Sequence, residues 1–303
     1  MQNQISLDAN ESIFFERELE AIKNQTYDRL FPEYTGLQYI PVSTEAGTYA
    51  ESITYRSYTP VGIARILATY GQDLPRADIF GEEFTSPVRP LGASYGYSVQ
   101  EIRAAQATGR NLPGLKASAA RRAIESGLND LAWNGDAVHG LQGFIVNGNY
   151  NQFNIPNGAA GFPQWATKTP LEIYIDVAAC LSSSTVATQG VEIADTLLLP
   201  RGAYEAISLL PYSEGSDLTV LEYVKRNRPG VEIYPVDQLD NVNGQRRMIA
   251  YKRDPEKVSF ELTQPFEQFP AQQRGLEFIV PCHARTGGVI VPYPLSVTFA
   301  EGF

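Results

Sequence analysis

The stretch LNDLAWNGDAVHGLQGFIV, Leu128–Val146, decides how this chain is read, because two patterns meet in it. Upstream, NLPGLKASAARRAIESGLNDLAWNGD (111–136) keeps Leu115, Ala119, Ala123, Ile124, Leu128 and Leu131 mostly on one broad helical face. Pro113 falls in the first turn, where a missing N–H costs little, and Gly135 stops the helix. A helix is therefore predicted over 112–133, a rod of about 30 Å. Downstream, Asn, Gly and Pro recur from Gly135 to Pro170, the signature of turns and a hairpin.

The N-terminal side offers little that could bury itself. SIFFERELEAIKNQTYDRL (12–30) spaces Phe15, Leu19, Ile22, Thr26 and Leu30 as one amphipathic helix with Ser12 as its N-cap. FPEYTGLQYIPV (31–42) reads as extended chain broken at Pro32, Gly36 and Pro41. GTYAESITYRSYTPVG (47–62) reads as a strand carrying Tyr49, Ile53 and Tyr55, and EEFTSPVRPLGASYGYS (82–98) as a second strand ending near Ser98. Between them IARILATYGQDLPRADIFG (63–81) forms a long tip, so a hairpin is expected over 47–98. A lone two-stranded ribbon is marginal in water and must lie on something.

After the loops, TPLEIYIDVAACLSSS (169–184) reads as a helix with Thr169 as cap and Pro170 in its first position. DTLLLP (195–200) is a short buried strand, RGAYEAISLL (201–210) a helix ended by Pro211, and SDLTVLEYVKRN (216–227) a helix capped by Ser216. VEIYPVDQL, RRMIAYKRD, KVSFEL, GLEFIVPCHARTGGVIVPYP and LSVTFA make the last third strand-rich, which places the chain in the α+β class.

Composition excludes several functions. The 303 residues carry a net charge of −10, whereas nucleic-acid binding leaves a basic footprint and anionic lipid attracts basic segments. No stretch approaches a membrane span, and the start MQNQISLDANE shows no signal-peptide pattern. Cys180 and Cys282 lack framework spacing and read as buried free thiols of a reducing, cytoplasmic compartment.

Catalytic motifs fare poorly. GASYG, Gly92–Gly96, fits the nucleophile elbow of α/β-hydrolases, with Ser94 as nucleophile and His139 or His283 as base. Pro87 and Pro90, however, disfavour the central strand an elbow needs. Cys282 and His283 are adjacent, whereas catalytic Cys/His partners are usually distant in sequence. Asp136 and His139 could share an ion, but a loop turn explains both. The sequence contains no Walker A loop. No catalytic, cofactor or metal residue is assigned.

The succession of elements resembles the major capsid proteins of tailed bacteriophages, of the Hong Kong 97 type. The residues that carry the resemblance are Trp133-Asn134-Gly135-Asp136 followed by Gly140-Leu141-Gln142-Gly143-Phe144, and DTLLLPRGAYEAI at Asp195–Ile207. The resemblance implies an N-arm over 1–46, an extended E-loop over 47–98, a peripheral domain from 99–167 and 257–303 with its spine helix at 112–133, and an axial domain over 168–256. It implies a subunit that assembles as hexamers and pentamers into an icosahedral head around double-stranded DNA, without sequence-specific DNA binding and without enzymatic activity. Expected partners are further copies of the chain, a separate scaffold protein, a portal and a decoration protein; the expected location is the virion, assembled in the host bacterial cytoplasm. An encapsulin-like compartment shell is the alternative with the same fold. No lysine falls between Lys23 and Lys116, so a lysine–asparagine crosslink from the E-loop is not expected.

Both readings converge on one surface. Phe14, Phe15, Leu19, Tyr49, Ile53, Tyr55, Ile63 and Ile66 lie on projections that cannot bury them within one subunit. Each is worth about 1.5–3 kcal/mol when buried, so neighbouring subunits are expected to cover them. Arg121 and Arg122, on the basic side of the long helix, are expected to meet the acidic arm of a neighbour.

Overall fold

The computed structural model describes residues 34–62, 76–108, 112–213 and 215–303. It opens with a single helical turn, α1 (Gly36–Tyr39), where extended chain was predicted. Tertiary contacts override the breakers there. The Gly36 N–H donates to Asn129 Oδ1 at 2.8 Å, and the bare Gly36 Cα lets the turn sit against Ala132 and Trp133. Tyr39 and Ile40 are thereby buried in the main core. β1 (Val42–Ser43) follows and joins the body rather than an arm.

β2 (Ser52–Val61) and β3 (Asp78–Pro87) pair antiparallel in unbroken register, Ser52 opposite Pro87 and Val61 opposite Asp78. The predicted second strand is in fact two. The chain leaves the hairpin at Val88, and β4 (Arg89–Ser98) pairs instead along β14 (Glu277–Thr286). The hairpin's own pairing therefore ends at Pro87, not Ser98.

α2 (Val99–Thr108) leads to α3 (Leu112–Asn134), the long helix the sequence places at 112–133. Its buried stripe is Ala120, Ile124, Leu128 and Ala132, a four-residue ladder. Leu115, Ala119 and Ala123, predicted for the same face, are exposed. β4 packs along this helix, with Leu91 against the bare Gly127.

Gly135, with φ +68°, ends α3. β5 (Gly135–Asp136) and β6 (Leu141–Gln142) then form a minimal hairpin. The returning chain donates from Phe144 N–H to the Ala132 carbonyl (2.9 Å) and from Ile145 N–H to Trp133 (2.8 Å). These bonds satisfy carbonyls that a helix end leaves orphaned. Gly143 makes the crossing possible, since a Cβ there would lie 2.2 Å from the Asn134 carbonyl carbon. The crossing drives Trp133, Phe144 and Ile145 into the core.

β7 (Asn151–Phe153) precedes α4 (Pro170–Ala187), whose Thr169 and Glu172 form a reciprocal capping box with Pro170 in the first turn. β8 (Thr196–Pro200) and α5 (Arg201–Leu209) follow as predicted. α6 (Val220–Asn227) is capped by Thr219 with Glu222, three residues after the predicted Ser216, because only Thr219 has an acidic partner at the reciprocal position. β9 (Glu232–Val236), β10 (Arg247–Tyr251), β11 (Ser259–Glu261), β12 (Gln264–Gln268), β13 (Gln272–Arg274), β15 (Gly288–Ile290) and β16 (Thr298–Glu301) complete the elements that position the site.

A five-stranded sheet in the order β7-β16-β10-β8-β9 separates two cores. Side chains alternate across it, as strand geometry requires. Leu197, Leu199, Met248 and Ala250 face Ile173, Val177, Cys180 and Leu181 of α4. Leu198, Ile249 and Tyr251 face the core built by α3 and Phe144. β7 and β16 come from the segments the resemblance assigns to the peripheral domain, and β8, β9 and β10 from the axial segment, so the sheet draws on both. Cys180 and Cys282 are buried and unpaired, as expected.

Candidate functional site

Among the described residues, one apolar surface left uncovered is the outer half of the β2–β3 hairpin. Its base is fastened firmly. The Val88 N–H donates to the Glu51 carbonyl at 2.8 Å, and the Ser86 hydroxyl donates to the Gly287 carbonyl at 2.8 Å. The Arg285 guanidinium donates to the carbonyls of Thr48 and Ala50. Ile53 packs where a side chain on Gly287 would otherwise stand, its Cδ1 lying 2.8 Å from that missing Cβ. The Arg89 side chain donates to the His139 carbonyl at 3.3 Å, tying the hairpin exit to the turn that follows the long helix.

The register sorts the side chains onto two faces. Ile53, Tyr55 and Val61 share one face with Phe80 and Phe84; Thr54, Arg56 and Tyr58 share the other with Ile79, Glu83 and Thr85. Near the base both faces are satisfied. Tyr55 stacks on Phe84 with centroids 5.2 Å apart, and burial raises the Tyr55 pKa. A small cavity beneath them is lined by Gly140, Gln142 and Val289–Val291. On the other face Thr54 and Thr85 share a hydrogen bond of 3.0 Å and Arg56 pairs with Glu83 at 3.1 Å. Further out, Tyr58, Val61, Ile79 and Phe80 are all exposed.

Of the contact residues predicted from the sequence, Phe14, Phe15, Leu19, Ile63 and Ile66 lie outside the described residues. Tyr49 is exposed, whereas Ile53 and Tyr55 are half-buried against the chain's own body. Arg121 and Arg122 are both exposed. Arg121 pairs with Glu125 at 2.8 Å and lies over the Phe266 ring, so its own helix already supplies a carboxylate. Tyr58 and Phe84, within the two predicted strands, and Ile79 and Phe80, within the tip predicted at 63–81, escaped the sequence reading. The signal available was the adjacent bulky pair Ile79-Phe80 before Gly81, which stands opposite Tyr58 in the ribbon.

Ser94 is not on an elbow. It lies mid-strand in β4, opposite Pro281, and is exposed. His139 is engaged by Asp136, Nδ1 to Oδ2 at 2.5 Å. The Asp136 pKa is lowered, first by that bond. His283 stands on β14 beside the Phe269 ring. Among the described residues, no hydrogen bond joins Ser94 to a histidine, and no three side chains gather as metal ligands. The concavity of about 350 Å³ beside the helix end is lined by Asn134, Ala137, Gly140–Gly143 and Val146–Asn149, without a titratable group to serve acid–base chemistry. No helix among the described residues is long and apolar enough to cross a membrane.

The sequence profile of the major capsid protein family matches residues 62–303, most of the chain. The chain belongs to the major capsid protein family. Solved capsids share the fold of this capsid protein. The capsid of Myoviridae phage XM1 superposes with a TM-score of 0.83 at 22% identity, covering 97% of this chain and 100% of the phage chain. The capsid of a native GTA particle gives 0.68 at 12% identity, over 98% of this chain and 99% of its own. The chain from Mycobacterium phage Ogopogo gives 0.62 at 10% identity, over 91% and 94%. No curated protein matches the sequence significantly. Membership favours the capsid reading over the encapsulin and hydrolase alternatives.

Proposed function

We propose that this capsid protein assembles as hexamers and pentamers into the icosahedral head of a tailed phage, enclosing double-stranded DNA without sequence-specific contacts. The observation that carries the reading is the hairpin. Its base is locked to the body by Ser86, Val88 and Arg285, while its outer half presents large apolar side chains that the described chain does not cover. Monomeric proteins rarely leave such a feature bare unless it is an interaction site.

In this reading residues 1–46 act as the N-arm, with 34–46 docked on their own body, and 47–98 as the E-loop, of which 89–98 form part of the body sheet. The long helix is the spine of the peripheral domain, and 168–256 form the axial domain. Tyr49, Tyr58, Ile79 and Phe80 are the described residues offered to neighbours, joined by Phe14, Phe15, Leu19, Ile63 and Ile66. The role is structural rather than catalytic, the location is the virion, and assembly takes place in the host bacterial cytoplasm with a scaffold protein, a portal and a decoration protein.

Electron microscopy of the purified protein, concentrated with and without scaffold, tests this. Closed shells or rings of five and six are expected. A chain that stays monomeric under both conditions would overturn the reading.

A further inference from the structure

Resting on that assembly reading, we infer that the outer hairpin is clamped on both faces by other copies of this chain, not laid with one face on a single neighbour. An antiparallel ribbon that packs on one side and faces water on the other alternates apolar with polar residues. This one does so only near its base. Farther out, Ile79 and Phe80 are consecutive residues pointing to opposite faces, yet they are 65% and 61% exposed. Tyr58 accompanies Ile79 on its face, and Val61 accompanies Phe80.

Area points the same way. The outer half of the ribbon, five residues of each strand, is about 17 Å long and about 10 Å wide, so one face offers on the order of 170 Å². A standard interface takes about 800 Å² from each partner. One face falls far short of that, and covering both faces doubles what the hairpin contributes. Arg56 and Glu83 already pair on one face, while Asp78 and Glu82 stand on the face of Phe80; the bulky groups left for a partner to meet are Tyr58, Val61, Ile79 and Phe80. Copies of this chain bring such surface with them: Leu115 on the long helix and Val138 and Val146 around its end are exposed.

Thiol accessibility separates the two faces. Cys180 and Cys282 are buried, so a cysteine placed at Ile79 or Phe80 reports against a quiet background. Ile79→Cys and Phe80→Cys should both react rapidly with a maleimide in free subunits, and both should slow at least tenfold in assembled shells. Shells in which either position keeps its free-subunit rate would overturn the clamp while leaving the assembly reading intact. A wild-type chain that never forms shells would overturn the assembly reading itself. A second series covers a cysteine variant that does not assemble. Ile79→Asp and Phe80→Asp should leave the subunit's Tm unchanged yet each abolish shells, while Ile79→Val and Phe80→Leu assemble. Wild-type shell yield from either aspartate variant would overturn the clamp.

Discussion

The Lys168 ammonium lies 2.6 Å from the Asp176 carboxylate, and both side chains are 1% exposed. The pair is completed by the Trp165 indole N–H, which donates to Asp176 at 3.1 Å, and by the Pro156 carbonyl, which accepts from Lys168 at 2.7 Å. It fastens the loop that crosses from β7 to α4. Burial pushes the Asp176 pKa upward even though Lys168 opposes the shift. Removing one partner strands the other charge in the interior, which typically costs about 3–5 kcal/mol. Lys168→Met should therefore lower the Tm steeply. The double variant Lys168→Met/Asp176→Leu should recover most of the loss. Thermal unfolding followed by circular dichroism compares the two, and a double variant no better than the single would refute this account.

Gly143 and Gly148 are five residues apart and should respond in opposite ways. A Cβ on Gly143 would stand 2.2 Å from the Asn134 carbonyl carbon and 2.3 Å from Gly135 N, backbone that cannot step aside. A Cβ on Gly148 meets nothing within 4 Å. Gly143→Ala should cost at least about 3 kcal/mol, at the upper end of overpacking penalties, and reduce soluble yield. Gly148→Ala should stay within about 0.5 kcal/mol of wild type. Urea unfolding of both variants measures the difference.

The Glu172 carboxylate accepts from the Thr169 N–H at 2.7 Å, the Ala159 N–H at 2.7 Å and the Thr169 hydroxyl at 2.9 Å. These bonds, led by that from the Thr169 backbone, hold its pKa below the ordinary value. The unfolded chain binds the proton more readily, so the stabilisation is complete above the ordinary glutamate pKa and is lost as pH falls through the lowered value. Glu172→Gln should lower the Tm at neutral pH and flatten its decline between about pH 5 and about pH 3. An acid limb as steep as that of wild type would show that the capping carboxylate does not contribute to it.

The outer hairpin should be dispensable for folding and required for assembly. Ser57 stands opposite Glu82 and Tyr58 opposite Gly81, so removing Thr59–Gly81 and joining the strands through a short glycine turn closes the ribbon where its ends already meet. The Tm of the shortened subunit should fall by less than about 3 °C, as expected for a change well under 1 kcal/mol in a chain of this size. Shells should be absent by electron microscopy. Normal shells would move the essential contacts elsewhere.

Much of the architecture could be read residue by residue. The long helix, its glycine stop, the Thr169–Pro170 start of α4 and the strand–helix run from Thr196 to Leu209 depend on caps, periodicity and turn chemistry. What failed to show was decided at a distance. β4 abandons the hairpin because its partner, β14, lies almost two hundred residues further along the chain. The turn at Gly36 forms because Asn129 and Trp133 await it. The candidate site was half legible: greasy residues on a projection pointed to neighbours, yet Ile53 and Tyr55 proved partly covered at home while Ile79 and Phe80 did not.

By itself, then, the amino-acid order determined where helices start and stop, which segments must be strands, and that a projecting ribbon would carry more apolar surface than it can hide. Tertiary structure alone decided which strand pairs with which, which stripe of the long helix is buried, and which side chains of the ribbon remain bare. The physical reason is that capping, periodicity and turn preference act over a few residues, whereas pairing and burial depend on groups brought together only once the whole chain has folded.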